Sequence, residues 1–343
     1  MVAAADAAPV RVSLLALPET TPAALYGLYE VFGAVGVVWP DLTGEPAAGP
    51  RINARIVGVS GETPGSIAGV PIAPQASLQE ATDCDIVIVT DLALTPDGDP
   101  RGRWPAATAW LRDRYAKGAT LCSVCTGSIL LADAGLLDGL EATTHWSAAG
   151  LFGQYFPSVR LRAERILVPA GPEHRIVTGG GSSSWEDLAV YLVARFCGEV
   201  EAVRIAKIFL FGDRSEGQAP YAGRVRPHRH EDAVIADCQA WIAERYAGEN
   251  PVARMAARSG LSERTFTRRF KAATGYSPVD YAQTLRIEEA KQLLETTNEP
   301  TDAVAAQVGY NDPAFFRRLF KRRTGTTPAR YRQRFRSIAA LPR

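Results

Sequence analysis

At 343 residues, with 46% hydrophobic and 22% charged side chains, the chain is long enough for two domains that each bury a core. Its composition excludes disordered, fibrous and coiled-coil architectures. The longest uncharged runs, Gly118 to Ala132 and Ala142 to Val159, are interrupted by Ser, Thr, His, Gly and Pro, so none supplies the about 20 apolar residues of a membrane span. The start, MVAAADAAPVR, has no basic residue ahead of its short apolar run, so no secretory signal is visible and a cytoplasmic address is expected. Five cysteines, an odd number, fit a reducing compartment better than a disulfide framework. The net charge of +1 hides a polarity: residues 1–224 carry 17 basic against 24 acidic groups, and residues 225–343 carry 21 against 13. A basic C-terminal third joined to an acidic remainder predicts a polyanion-binding module attached to one with a different partner.

In chain order, Arg11 to Leu17 reads as a strand, Ala23 to Ala34 as a helix and Ile52 to Val59 as a second strand. Asp85 to Thr90 is a continuous apolar run suited to a buried parallel strand. Trp104 to Tyr115 reads as a helix, Ala119 to Ser123 as a strand and Gly127 to Ala134 as a helix. Strand and helix in alternation predict an open, mostly parallel sheet covered on both faces.

The segment LCSVCTGSILLADAGLLDG, followed by EATTHW, holds the first chemical signal. An apolar strand that ends in Cys125-Thr126-Gly127 and passes at once into a helix describes a sharp turn projecting a thiol, beside a helix N-terminus whose dipole favours thiolate. His145, twenty residues on, supplies a candidate base, and Trp146 either lines a pocket or fills core. Cys125 reads as a ligand-pocket residue, an inert structural relic or a working thiol. Cys122 and Cys125 form a lone C-x-x-C, poor evidence for zinc or a redox disulfide. Gly179 to Gly181, ahead of a helix from Trp185, suits a phosphate cradle or a place where helix and strand pack closely.

This region, about residues 10–198, resembles the ThiJ/PfpI branch of the class I glutamine amidotransferase-like superfamily, which includes isonitrile hydratase. The resemblance implies a flavodoxin-like sheet, with Cys125 at the nucleophile elbow and His145 beside it. The run Ala24-Leu-Tyr-Gly-Leu-Tyr-Glu30-Val-Phe32 has alanine where active relatives carry an acid, and Thr90-Asp-Leu-Ala-Leu-Thr95 replaces a P-G-G segment that supplies oxyanion amides. Loss of the acid and of the glycine donors argues against catalysis.

Phe211 to Glu231, rich in Gly, Pro, Arg and Ser and without apolar periodicity, has a linker composition, and its His228 and His230 read as a polar hinge rather than a metal site. Helical spacing follows over Glu231–Tyr246, Val252–Arg258, Glu263–Ala273, Val279–Glu295, Asp302–Gln307 and Pro313–Arg323. Within it, the segment from Ser262 to Pro278 returns fifty residues later as Asp312 to Pro328. Phe266 pairs with Phe316, Phe270 with Phe320, Lys271 with Lys321, Gly275 with Gly325 and Tyr281 with Tyr331. Each copy follows a short Ala-rich helix and a glycine turn, as helix-turn-helix units do.

Phe266 and Phe270, like Phe316 and Phe320, stand at i and i+4 and mark a buried stripe. The opposite stripe carries Arg264, Thr267, Arg268 and Lys271 in the first copy, and Ala314, Arg317, Arg318 and Lys321 in the second. Arginine there can read guanine bidentately, and lysine near a helix end can neutralise phosphate. Ser262 and Asp312 are placed to cap the two helices. Val279 to Glu295 forms a connector of about 25 Å, fit to set the second helices in successive major grooves about 34 Å apart. With its glycine turns and its F-K and T-G-x-x-P landmarks, this module resembles the DNA-binding domain of the AraC/XylS regulators. The resemblance puts Arg264, Thr267, Arg268, Arg317 and Arg318 at base-reading positions.

The expectation is therefore a flavodoxin-like α/β domain over residues 8–210, a linker over 211–230 and an all-α double helix-turn-helix domain over 231–337. Function is expected to be that of a DNA-binding transcription regulator whose first domain senses a small-molecule effector and dimerises, with no catalytic residue, metal or cofactor. Partners are double-stranded promoter DNA, the effector bound near Cys125, Thr126, His145 and Trp146, a second copy of the chain, and RNA polymerase, with no membrane. The alternatives are a thiol-dependent hydrolase or hydratase tethered to DNA, and an architectural protein whose first domain only dimerises.

Overall fold

The computed structural model describes residues 8–46, 49–60, 68–95, 98–223 and 230–339. It divides into two units, Met1–Gln218 and Ala219–Arg343. His228 lies outside the described residues.

In the first unit the strands are β1 (Val10–Ala16), β2 (Ile52–Gly58), β3 (Ala76–Ser77), β4 (Ile86–Val89), β5 (Thr120–Ser123), β6 (Glu141–Ala142), β7 (Arg160–Leu161), β8 (Leu167–Ala170) and β9 (Ile176–Gly179). Seven of them form one sheet in the order β3-β2-β1-β4-β5-β9-β8, parallel except for β8, while β6 and β7 pair apart. The helices are α1 (Pro22–Ala34), α2 (Val38–Thr43), α3 (Pro105–Ala116), α4 (Gly127–Asp133), α5 (Ala149–Tyr155), α6 (Ser184–Cys197) and α7 (Glu199–Ile208). The period of two along a strand sends Val12, Leu14 and Ala16 to one face, where they join Leu28 and Phe32 of α1 and Leu188 and Leu192 of α6. Leu15, Val87 and Val89 go to the other, against Trp110 and Leu111 of α3 and Leu130 and Leu131 of α4. A sheet buried on both faces needs apolar residues at every strand position, which is why Ile86–Val89 reads as an unbroken run.

The chain leaves β1 toward β2 and β3, then returns to lay β4 on the other side of β1. At such a reversal the loops after neighbouring strands diverge and leave a crevice at their carboxyl ends, the usual place for a site in an open α/β sheet. The loops after β1 and β4 are tied there by a bridge between Thr20 and Leu92, and Cys125 follows β5 on the adjoining strand.

The second unit consists of α8 (Ala233–Arg245), α9 (Pro251–Ser259), α10 (Glu263–Thr274), α11 (Pro278–Thr296), α12 (Thr301–Gln307), α13 (Pro313–Thr324) and α14 (Pro328–Ala339). It holds two small cores. Phe266, Phe270, Met255 and Ile242 form one with Tyr281 and Leu285 of α11, and Phe316, Phe320, Val304 and Tyr331 form the other with Ile287, Ala290 and Leu294 of the same helix. The sequence repeat persists in the geometry. Phe270 meets Tyr281 edge-on at 5.4 Å and Phe320 meets Tyr331 edge-on at 5.5 Å. Thr274 and Thr324 each turn a buried hydroxyl back to the carbonyl four residues earlier, at 2.8 Å. The glycines after them, Gly275 and Gly325, close their helices in the left-handed conformation.

Two features differ from the sequence reading. Helix α14, which completes the second core through Tyr331, was not singled out by periodicity, because five basic or glutamine residues between 329 and 336 mask its apolar positions. Residues 211–218, with a linker's composition, pack inside the first unit. Phe211 stacks on Phe209 and meets Trp185 edge-on, Arg214 pairs with Glu186 and with Asp187, and Gln218 is only 2% exposed. Single anchoring side chains among glycines are invisible to a composition argument.

Candidate functional site

Two regions carry the candidate residues, one in each unit. In the second, α10 begins at Ser262, whose hydroxyl accepts from the Thr265 N–H, and α13 begins at Asp312, which accepts from the N–H groups of Ala314 (2.8 Å) and Phe315 (3.1 Å). With Phe266, Phe270, Phe316 and Phe320 fully buried, the 3.6-residue period turns Arg264, Thr267, Arg268 and Lys271 outward on α10. Ala314, Arg317, Arg318 and Lys321 are turned outward on α13, and all eight are exposed. Arg317 is held by Asp302 of α12, whereas no ion pair among the described residues engages Arg264, Arg268 or Arg318. Burial of the four rings in core excludes their use as a stacking platform for bases.

In the first unit, β5 ends at Ser123 and Cys125 takes a left-handed backbone, φ 56°, before α4 starts at Gly127. That conformation is costly for a residue with a Cβ and persists because the surroundings fix it. Cys125 N–H donates to Gly179 O at 2.9 Å, and its carbonyl accepts from the hydroxyls of Ser128 (2.9 Å) and Thr144 (3.2 Å). Gly127 is required by close approach: a Cβ there would stand 2.3 Å from Val89 O and 2.5 Å from Thr90 O. Thr126 faces the loop after β4, donating to Leu92 O (2.6 Å) and accepting from Leu92 N–H (2.9 Å). Its side chain therefore holds that loop in place.

The electrostatics reverse one sequence expectation. Burial pushes the Cys125 thiol up, the hydroxyl of Ser182, 3.6 Å from Sγ, opposes this, and the nearby Asp91 adds a smaller push upward. The helix-dipole argument for thiolate loses because desolvation of a buried sulfur outweighs what the first turn of a seven-residue helix supplies. His145 is half-buried, and burial holds its imidazole below the ordinary histidine range, with Asp91 acting in the other direction. Its hydrogen bonds among the described residues go to Ser147, with Nδ1 2.6 Å from Oγ and accepting the Ser147 N–H at 3.2 Å. Trp146 lies beside it with ring centroids 5.0 Å apart.

Asp91 was not singled out by the sequence, which showed only an acid in a loop after a buried strand. It is 8% exposed. Its Oδ2 accepts from the Thr21 hydroxyl, its Oδ1 is buried with no partner among the described residues, and burial raises it above the ordinary carboxyl range. The alanine at position 24 on α1 is thus not the end of acidic chemistry near the thiol, because the loop after β4 brings a carboxyl group instead. A thiol, a carboxyl group and an imidazole, each shifted by burial toward its uncharged form, offer hydrogen-bond donors and acceptors.

The remaining candidates settle by geometry. Cys122 is in the core with its thiol raised by burial, and both members of the C-x-x-C are free. Close packing accounts for two glycines of the run: a Cβ on Gly180 would stand 2.2 Å from Gln218 Nε2, and one on Gly179 would stand 2.6 Å from Ser184 Oγ. His230 Nε2 is 2.8 Å from Gln239 Oε1. No group of three metal-ligating side chains occurs among the described residues, and no helix among them is long and apolar enough to cross a membrane.

Comparison with known proteins agrees with both halves. A profile described as a helix-turn-helix domain matches residues 255–334, and one of the DJ-1/PfpI family matches residues 43–158. The HTH-type transcriptional regulator CdhR of Pseudomonas aeruginosa is 29% identical over 240 residues, 66% of this chain and 67% of that protein. The HTH-type transcriptional regulator GlxA of Rhizobium meliloti is 28% identical over 283 residues, 80% of this chain and 83% of that protein. Among solved structures, an AraC family transcriptional regulator from Pseudomonas putida is 20% identical, covering 60% of this chain and 100% of its own, with a TM-score of 0.48.

Proposed function

From a chain that joins a DJ-1/PfpI domain to an AraC-type helix-turn-helix domain, we infer a transcription regulator that reads double-stranded promoter DNA with α10 and α13. Arg264, Thr267, Arg268, Arg317 and Arg318 contact base edges, Lys271 and Lys321 neutralise phosphate, and Ala314 leaves room for a base edge to approach. One observation carries this reading: the same exposed stripe occurs on two helices, each behind a matching turn and each backed by a buried phenylalanine pair. Selection of bound sites from a randomised duplex pool tests it. Enriched sites carry two short conserved blocks about one helical turn apart, and a single block or none overturns the reading.

The first unit senses a small-molecule effector at Cys125, His145 and Trp146, with Thr126 shaping the neighbouring loop and Asp91 adding a hydrogen-bonding carboxyl group. The raised thiol and the engagement of His145 with Ser147 support binding over nucleophilic attack. The regulator works as a homodimer in the cytoplasm, meets RNA polymerase at the promoter and has no enzymatic turnover. A thermal-shift screen of metabolites, followed by footprinting with the best hit, tests the sensor. A Cys125→Ser variant that abolishes turnover of any such compound would instead establish the hydrolase reading.

A further inference from the structure

Gln218 is the last residue of the first unit, and its side chain is buried against the candidate effector site. Its Nε2 faces four oxygens: Thr144 O (2.8 Å), Ala163 O (2.9 Å), Arg165 O (3.0 Å) and Thr143 Oγ1 (3.3 Å). Its Oε1 accepts the backbone N–H of Trp146 at 3.3 Å, and its own N–H donates to Glu164 O at 2.9 Å. The amide is thus oriented by its surroundings, since reversing it would set oxygen against oxygen. A methyl group placed on Gly181 would stand 3.5 Å from Gln218 Oε1 and 3.9 Å from His145 Cδ2. Any displacement of residues 143–146 therefore either moves Gln218 or leaves buried polar groups unpaired, which is costly.

Only Ala219 and Pro220 separate Gln218 from a second anchored stretch, which belongs to the other unit. Tyr221 meets Phe335 edge-on at 5.5 Å, and the Arg334 guanidinium lies 5.6 Å from its ring centroid. The Ala222 carbonyl accepts from Lys291 Nζ, and Lys291 is 6% exposed and bonded to Glu288 at 3.0 Å. A lysine ammonium is rarely so buried, and here a carboxylate and this backbone carbonyl satisfy it.

We propose that Gln218 is a positioning residue that ties the shape of the Cys125–His145–Trp146 site to the strap Pro220–Gly223 docked on α11 and α14. The proposal rests on the reading of the first unit as an effector sensor and names its path of communication. A molecule that favours one placement of Thr144–Trp146 favours one placement of Gln218, and with it of a strap whose proline restricts the backbone between the anchors. Coupling of this kind works in both directions, so loosening the strap must loosen the site.

That reciprocity gives a test needing no effector. Amide hydrogen exchange is measured on the full chain for residues 144–146 in wild type, Tyr221→Ala, Gln218→Met and the double variant. The expected result is exchange at the Trp146 amide about tenfold faster in Tyr221→Ala, faster again in Gln218→Met, and no faster in the double variant than in Gln218→Met alone. Lys291→Met, which removes the donor to Ala222 O, gives the same reading should Tyr221→Ala destabilise the second unit. Unchanged exchange at Trp146 in both strap variants would overturn the proposal and leave Gln218 a local brace. A metabolite screen that yields no binder would overturn the effector reading alone, with the exchange result standing.

Discussion

Arg286 donates from Nη1 to the carbonyl oxygen of Gly309 at 2.9 Å. The same guanidinium donates to Tyr246 O (2.7 Å) and Gly248 O (2.8 Å), and lies 5.0 Å from the ring centroid of Tyr310. Gly309 is in the turn between α12 and α13, and Tyr246 and Gly248 lie between α8 and α9, so one side chain on α11 ties the turn of the second repeat to the loop that leads into the first. The turns abut closely: a Cβ on Gly309, whose φ is +84°, would stand 2.3 Å from Ala247 O.

Arg286→Ala leaves three carbonyls without their donor and is expected to destabilise the second unit by about 2 kcal/mol. Arg286→Lys recovers part of this, because an ammonium cannot reproduce the planar fork. Binding to a duplex with both half-sites should weaken more than binding to either half-site alone. Equal weakening of all three in a titration would show that the brace does not set the spacing of α10 and α13.

Arg268 and Phe270, two residues apart on α10, should separate reading from folding. Arg268→Ala is expected to keep the melting temperature and lose about 1–3 kcal/mol of operator affinity, with relaxed preference at one base position. Phe270→Ala is expected to lose about 3–5 kcal/mol of stability. Calorimetry and DNA titration on both variants check the pair. An Arg268→Ala protein with unchanged sequence preference removes that residue from the reading set.

Asp302 holds Arg317 in the DNA-free chain. Both groups are about half exposed, so the pair adds little stability, and Asp302→Asn should leave the unfolding free energy within about 0.5 kcal/mol of wild type. It should also tighten DNA binding, because a competitor for the guanidinium and a negative charge near phosphate are both removed. Weaker binding in a salt titration would mean that Asp302 orients Arg317 for the groove.

Asp91 is raised by burial, so the folded state holds its proton more tightly than the unfolded chain does. Stability from this group is therefore present below about pH 4 and is lost as pH rises through the elevated folded value. Asp91→Asn should raise the melting temperature at pH 7 and show little gain near pH 4. Since Asp91 also pushes the Cys125 thiol up, the variant should speed alkylation of Cys125 at pH 8. A melting temperature unchanged at both pH values would show that the buried carboxyl group carries no penalty.

The exposed basic stripe was legible in the sequence because helical period and an internal repeat are local properties. Once Phe266 and Phe270 are inside, Arg264 and Arg268 must be outside. The elbow was legible for the same reason, since a strand, a cysteine and an immediate helix occupy consecutive positions. Asp91, Arg286 and Gln218 carried no such signal, because each owes its role to partners 23 to 75 residues away. The thiolate expectation at Cys125 failed likewise, since helix position is written in the chain and desolvation is not.

Local order, then, is what this sequence determines alone: the alternation that builds a parallel sheet, the doubled helix-turn-helix and the side chains on each outward face. Tertiary structure decides which polar groups lose their water and which find a partner. Those outcomes depend on distances between segments far apart in the chain. They bury Asp91 near the thiol, make Arg286 a brace between two turns, and pack Gln218 inside the first unit instead of leaving it in a linker.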